Sequence, residues 1–380
     1  MKIRLFKPSL GDEELQNIKE VFERAWLGLG PKVAEFEMEW SKYLGIKASI
    51  AVNSATAALH LALTAYHFKE GCKVLIPIIT FASTATAILY NKLEPVFVDI
   101  DENTITMSLD DLDKKYTKDC VAIIPVHMGG QPVLMDILME FAREKKLAVI
   151  EDCAHCAGGE FKGKMLGKWG HIGCFSFEEK KCMTTGDGGM ICSEDEHLIQ
   201  PLREYRWIGI DKDTWKRASK YTDSVNIDAR HWYYEIAVLG YKYNMNDLAA
   251  AIGLAQLKKL DSMNLKRSHC IKRYLQGIQN CKHITPLLPY DPDKYVYWIF
   301  GIRCKMRDPL IIYLKSKGIA TGMHYMPLPL HPLLKPYYKV PCDTGMKIWE
   351  SFITLPLFAD LTETEIDYII EALIAFDAKY

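Results

Sequence analysis

Short apolar runs separated by amphipathic stretches set the rhythm of the first half of the chain. KVLIP (73–77), PVFVDI (95–100), CVAIIPVH (120–127), LAVIED (147–152), IGCFSF (172–177) and GGMICS (188–193) each read as a strand. Between the early ones, segments 55–68, 81–91 and 134–146 place apolar residues at helical spacing. Near-continuous apolar strands alternating with helices predict an α/β fold, with a mostly parallel central sheet covered on both faces. Ligands of such sheets bind beyond the carboxyl ends of the strands. Asp152 lies at such an end, and His127 closes another run.

The rhythm changes after about residue 196. Residues 205–237 are dense in Trp, Tyr and charge and read as an ordered loop excursion. Segment 245–278 has helical periodicity and good helix formers throughout, so one long helix is expected. Beyond it come a strand, YVYWIFGIRC (295–304), a helix near 308–317 and a Pro-rich stretch, 326–334. A last helix over 362–376 starts on Thr362 with Glu365 three residues on, a capping box. The expected organisation is a large domain over 1–245 and a smaller C-terminal α+β domain over 246–380.

Charge adds mainly exclusions. Lys+Arg number 47 against Asp+Glu 48, with no basic block, so nucleic acid is not an expected partner. The N-terminus lacks a signal-peptide core, and the apolar stretch 74–91 is broken by Pro77 and by Ser and Thr. A cytoplasmic protein with no membrane span is expected. Cys153-Ala-His-Cys156 has no second ligand pair at zinc spacing, so the eleven cysteines are read as reduced thiols and no metal is expected.

The candidate chemistry starts from Asp152 and from Lys181 in FSFEEKKCMTTGDGG (175–189). A carboxylate ending an apolar strand can fix a heterocyclic cation, or else take a salt bridge or helix cap. A lysine in a glycine-rich turn can form an imine with an aldehyde, if burial lowers its pKa. Together they suit pyridoxal phosphate chemistry, with Asp152 on the pyridine nitrogen and Lys181 on the aldehyde. Ala55 and Thr56 open a predicted helix after Ser54, where free N–H groups and the helix dipole can receive a phosphate. Ser176 is a second phosphate candidate, Phe81 a ring partner, and His155 a partner for the ring hydroxyl.

These residues bring a family into view. WLGLGPKVAEFE (26–37), NSATAALHLAL (53–63), PIITFASTATAILY (77–90), PVFVDID (95–101), PVHMGGQPVLMD (125–136), EDCAHCAGGEFKGKMLGKWGHIGCFSF (151–177), KKCMTTGDGGM (180–190) and LGYKYNMNDLAAAIGLAQLKKLD (239–261) occur in the order found in the DegT/DnrJ/EryC1/StrS sugar aminotransferases. The chain resembles that family end to end. The resemblance implies fold-type I architecture and pyridoxal 5'-phosphate as cofactor, with pyridoxamine 5'-phosphate between two half-reactions. It places the imine-forming lysine on Lys181, with Lys180 as a neighbour, and the pyridine-nitrogen aspartate on Asp152. It also assigns His155, Ser176, Ala55, Thr56 and Phe81 to cofactor binding.

The resemblance further implies an amino group moved from L-glutamate, leaving 2-oxoglutarate, to a keto-sugar. The default acceptor is a nucleotide-linked 4-keto-6-deoxyhexose, with a 3-keto nucleotide sugar or a free keto-sugar acid such as 8-oxo-manno-octulosonate as alternatives. A homodimer with shared active sites is implied too. Where many members carry GYNYRM, with an Asn reaching the partner's cofactor phosphate, this chain has GYKYNM, offering Lys242 or Asn244. Many carry SGT where Ser54-Ala55-Thr56 stands, and the residues before the lysine, Glu178-Glu179-Lys180, are unusually acidic. Relatives with His in place of the lysine catalyse a dehydration, from which Lys181 separates this chain. Two further classes are a non-catalytic binder, which would not need Lys181, and a dinucleotide oxidoreductase, for which no GxGxxG follows the first strand.

Overall fold

The structure, a computed structural model, describes residues 1–210 and 234–379. Two helices, α1 (Asp12–Glu23) and α2 (Pro31–Leu44), precede the first strand, β1 (Ala48–Val52). There follow α3 (Ala55–Thr64), β2 (Lys73–Pro77), α4 (Ala82–Tyr90), β3 (Glu94–Val98), α5 (Leu109–Lys115), β4 (Cys120–Ile123), α6 (Met135–Lys145) and β5 (Ala148–Asp152). A small hairpin, β6 (Glu160–Phe161) and β7 (Lys164–Met165), leads to β8 (Ile172–Ser176), β9 (Gly189–Ser193) and α7 (Glu196–Arg206). Helix α8 (Asp247–Ile278) then opens a run of β10 (Ile284–Pro286), β11 (Phe300–Cys304), α9 (Arg307–Ser316), α10 (Asp343–Trp349), β12 (Phe352–Leu355) and α11 (Glu363–Asp377).

Seven strands form the central sheet in the order β1-β9-β8-β5-β4-β2-β3. The pairs from β3 across to β8 are parallel, and β9 is antiparallel to both its neighbours, β8 and β1. Strand β9 therefore runs alone against the other six. The ends of β1, β2, β5 and β8 and the start of β9 share one edge of the sheet. All six expected strands are present: β2 with the expected bounds, β5, β8 and β9 one residue shorter, β3 starting one residue earlier and ending two earlier, and β4 four residues shorter. Strand β1 was not expected from sequence: ASIAV is short and alanine-rich, and its burial comes from pairing with β9.

Side-chain alternation decides which residues meet the cavity at that edge. Phe175 and Phe177 point into the core against Trp40 of α2, with ring centroids 5.0 and 4.9 Å away. Ser176 between them faces the other way. Asp152 pairs in register with Cys174 and so shares the face of Ser176.

The second sheet, β10-β11-β12, is antiparallel. Only residues 300–304 of the expected strand 295–304 join it. The preceding residues cross above the turn at Met128-Gly129-Gly130, where the Trp298 N–H donates to the Gly129 carbonyl at 2.9 Å. Gly130 has φ 102°, and a Cβ there would stand 2.1 Å from the Val296 carbonyl oxygen. The capping box on α11 forms as expected: the Thr362 Oγ1 accepts from the Glu365 N–H (3.3 Å), and the Glu365 carboxylate accepts from the Thr362 N–H (2.9 Å). Much of the 205–237 excursion lies outside the described residues. Its described ends pair through the bridges Trp207↔Lys242 and Ile210↔Ile236.

Candidate active site

At the shared strand edge lies a cavity of about 400 Å³. One wall comes from the sheet and its loops: Ala55, Thr56, Phe81, Asp152, His155, Ser176 and Lys181. The other comes from the C-terminal part: Trp298, His324 and Tyr325. Seven of the nine residues proposed from sequence thus meet in one place.

Asp152 is buried, and neither alternative read from sequence, salt bridge or helix cap, describes its bonds. Its Oδ2 accepts from the Thr84 hydroxyl at 2.8 Å, and its Oδ1 accepts from the Ala154 N–H at 3.1 Å. Thr80 and Thr84, four residues apart at the start of α4, share a further hydrogen bond of 2.9 Å, so the loop carrying Phe81 is tied to the carboxylate. Burial raises the pKa of Asp152 against the opposing pull of those donors and of Lys181. Both hydrogen-bond donors are neutral. A cation placed in the cavity would relieve the desolvation that raises this pKa.

Lys181 sits in a loop, 177–188, that is closed on itself: the Phe177 N–H donates to the Gly188 carbonyl and the Thr185 N–H to the Phe177 carbonyl, both at 2.9 Å. Its ammonium lies 3.8 Å from the centroid of the Trp298 ring. Burial lowers its pKa to about 8, opposed by the charge of Asp152. At neutral pH roughly a tenth of the amine is then free, about two hundred times more than for an unperturbed lysine.

Helix α3 presents its N-terminus to the same space. The Ser54 hydroxyl accepts from the Ala57 N–H at 3.1 Å, leaving the first N–H groups, those of Ala55 and Thr56, toward the cavity. The Thr56 hydroxyl bonds Ser83 at 2.6 Å. The close approach of this turn to the sheet depends on Gly189, where a Cβ would stand 2.5 Å from the Ser54 carbonyl carbon. Ser176 accepts from the Glu178 N–H at 3.4 Å. An anion here would meet two N–H groups, a helix dipole and three hydroxyls.

Phe81 is 54% exposed and faces Tyr325 across the cavity, ring centroids 5.5 Å apart. His155 is stacked on Trp298 at 4.2 Å, its Nδ1 accepting from the Gly129 N–H (3.4 Å) and its Nε2 3.3 Å from the Tyr325 hydroxyl. Burial and Lys181 hold it neutral. Lys242 and Asn244 do not line the cavity of their own chain. Lys242 is exposed, with its ammonium over the Trp207 ring, and the Asn244 side chain bonds the Met245 carbonyl.

His127 does not reach the cavity: it is buried, between Glu151 (3.1 Å) and the Val133 N–H (3.2 Å). Cys153 and Cys156 approach His127, with their ligand atoms within 4.8 Å of one another, but both ring nitrogens of His127 are already engaged.

Sequence reasoning missed Trp298, His324, Tyr325 and Thr84. The spacing of Thr80 and Thr84 by one helical turn after a strand was a usable signal for the last. The aromatic wall offered none, because YVYWIF reads as a buried strand whether or not it borders a ligand.

Comparison with known proteins accords with this arrangement. The model of the DegT/DnrJ/EryC1/StrS aminotransferase family matches residues 8–374. The chain is 36% identical to the uncharacterized protein MJ1066 of Methanocaldococcus jannaschii, covering 97% of this chain and 96% of that one. It is 35% identical to the spore coat polysaccharide biosynthesis protein SpsC of Bacillus subtilis, covering 96% and 95%. The putative sugar aminotransferase Spr1654 of Streptococcus pneumoniae, solved in PMP and PLP forms, superposes in its PMP form with a TM-score of 0.89 at 27% identity, over 100% of this chain and 98% of that one. With a match over nearly its whole length, the chain belongs to the DegT/DnrJ/EryC1/StrS aminotransferase family, the pyridoxal-phosphate-dependent sugar aminotransferases.

Proposed function

We propose that this enzyme moves an amino group from L-glutamate to a keto-sugar, a nucleotide-linked 4-keto-6-deoxyhexose, in the making of cell-surface polysaccharide or lipopolysaccharide sugars. The observation that carries this reading is the convergence of an amine of lowered pKa, Lys181, and a buried carboxylate, Asp152, in one cavity beside the N-terminus of α3. The polysaccharide role of SpsC, by its name, supports the direction of the product.

Pyridoxal phosphate, when bound, supplies an aldehyde and an electron-accepting ring. The rest falls to the protein. Asp152 holds the ring nitrogen protonated, with Thr84 and the Ala154 N–H fixing its orientation. The N–H groups of Ala55 and Thr56, the Thr56 hydroxyl and Ser176 receive the phosphate. Phe81, exposed at the cavity, would lie against the ring. His155 stands by the ring hydroxyl, its other contacts holding the imidazole in place. Lys181 would hold the cofactor's aldehyde and, once released by the donor, its free amine would accept and return the proton at the donor α-carbon.

The homodimer belongs to the same proposal. Lys242 and Asn244 lie outside their own cavity, which suits contacts to a partner's phosphate, Lys242 as a point charge. Phe22, Trp26 and Leu27 are large and exposed, an apolar surface fit for a second copy. A cytoplasmic setting accords with eleven free thiols, and no described helix is long and apolar enough to cross a membrane. We divide the chain at 245/246: every strand of the seven-stranded sheet precedes that point, and every strand of the three-stranded sheet follows it.

The test is direct. Purified enzyme given L-glutamate and a panel of keto-sugars should yield 2-oxoglutarate and one amino sugar by mass spectrometry. Borohydride reduction and peptide mapping should place the cofactor adduct on Lys181. An adduct on Lys180, or none, would overturn the assignment.

A further inference from the structure

Glu178 and Lys180 line the cavity, whereas Glu179 between them does not. The two form a small closed unit beside Lys181. The Glu178 carboxylate accepts from the Lys180 backbone N–H at 3.0 Å and lies 3.4 Å from the Lys180 ammonium. The Glu178 carbonyl accepts from the Lys181 N–H at 2.9 Å, and the Lys180 carbonyl accepts from the Trp298 indole at 2.5 Å. The backbone of this turn is thus fixed, while the two charged heads stand partly in solvent, 36% and 56% exposed.

A cavity serving both half-reactions must admit two unlike substrates in turn. One is an amino acid with two carboxylates; the other is a polyol. Carboxylates call for a cation. No arginine is among the described lining residues. The two histidines of the lining are neutral: His155 for the reasons given above, and His324 because burial, Lys181 and Lys180 push it down to about 4. Lys181 is committed to the reacting carbon. Lys180 is the one cation left among the described lining residues, next in sequence to Lys181 and with its side chain more than half exposed, so it can meet the far end of a donor from the solvent side.

We infer that Lys180 docks the side-chain carboxylate of the amino donor and that Glu178 holds the same ammonium between turnovers. The inference rests on the reading above that the donor is L-glutamate. An exposed ion pair of this length is weak enough to open for an incoming carboxylate. Glu178 then acts as a competitor that is displaced when the donor binds and that returns when the sugar replaces it, keeping an unpaired ammonium from the acceptor. Lys180 and Glu178 are positioning residues; neither touches the reacting atoms.

The two side chains make opposite predictions, which a general disturbance of the site would not. The experiment follows the donor half-reaction of the holoenzyme alone, by the change in cofactor absorbance on adding L-glutamate, so no sugar is needed. Lys180→Met should raise the L-glutamate concentration that half-saturates this single-turnover rate, the KM of the half-reaction, about tenfold, with its limiting rate constant changed less than about twofold, the signature of lost ground-state binding. Lys180→Arg should restore most of it. Glu178→Gln should lower the same KM a few-fold by removing the competitor. Inhibition by glutarate, a dicarboxylate with no amino group to give, should weaken in Lys180→Met and strengthen in Glu178→Gln. Shifts below twofold, or both variants moving KM the same way, would overturn the inference while leaving the donor assignment standing. Wild-type holoenzyme whose spectrum ignores L-glutamate would instead overturn the donor assignment, and this inference with it.

Discussion

The two walls of the cavity are built on different principles. The sheet wall works through backbone and short side chains held at strand ends: Asp152, Ser176, the α3 N-terminus and the closed loop of Lys181. The C-terminal wall works through stacked rings: Trp298 on His155, and His324 edge-on to Trp298 at 5.1 Å, with Phe6 of the N-terminal segment stacked on Trp298 at 5.2 Å. Polar groups of the first wall define what the reaction can be. Rings of the second shape and dry the space and hold the first wall's imidazole in place. Changes in the first wall should therefore cost chemistry, and changes in the second should cost stability or binding.

The sharpest contrast is expected at Lys181→Ala. Turnover should fall at least ~10³-fold, within the range general acid–base catalysis contributes, while Lys180→Ala should keep most of kcat; single-turnover absorbance checks both. Asp152→Asn comes next. Removing one member of a buried charge pair, here the carboxylate facing the ring nitrogen of the bound cofactor, costs ~3–5 kcal/mol, so a loss of roughly 10²–10³-fold or more in kcat/KM and weaker retention of cofactor on dialysis are expected.

Third is the pH dependence of Lys181 in cofactor-free protein. The free amine is the nucleophile, so aldehyde capture should rise about tenfold per pH unit below the pKa and level off above pH 8, where burial has brought that pKa. An ordinary lysine would keep gaining up to about 10.4. Borohydride trapping at a series of pH values, read by peptide mass spectrometry, would show a plateau near 10 if the loop did not bury this amine.

The aromatic wall should respond differently. Gly130→Ala forces a Cβ onto the Val296 carbonyl at a φ of 102°. A loss of ~1–3 kcal/mol is expected from overpacking, visible as a lower Tm, with a smaller effect on kcat than Asp152→Asn. Tyr325→Phe should have the smallest effect. It removes one hydroxyl from His155, worth ~0.5–1.5 kcal/mol, so kcat/KM should fall only a few-fold. If Tyr325→Phe matched Asp152→Asn in severity, the division of labour between the walls would be wrong.

The walls also differ in how legible they were. Strand ends followed by Asp, by Ser or by a capping Ser and a helix are local patterns; the carboxyl-end rule pointed to Asp152, and to His127, which lies outside the cavity, while the demands of a single cofactor joined the others. The family resemblance then separated Lys181 from Lys180, which spacing alone did not. The aromatic wall depends on where a distant segment lands. Residues 295–299 continue an apolar run and read as strand, but their backbone is taken by Gly129 instead of a neighbouring strand. Strand β1 escaped notice for the same reason: its partner β9 lies about 140 residues away, and its alanines carry little signal of their own. Lys242 and Asn244 are legible only as absences from their own cavity, because what would explain them is a second chain.

Helix α8 stands behind the reacting loops. Gln256 accepts from the Thr184 N–H at 3.2 Å, Asn264 donates to the Ala157 carbonyl at 3.1 Å, and Arg267 donates to the Cys182 carbonyl at 2.9 Å. The segments bearing His155 and Lys181 have little regular structure of their own there, so their accuracy is borrowed from a scaffold added some eighty residues later. A nascent polypeptide that had just finished β9 would have the loop's own hydrogen bonds around its nucleophile but none of these three braces. Competence would arrive only once Asp247–Ile278 had been synthesised and laid down, which makes readiness for the vitamin a late event in the life of each molecule.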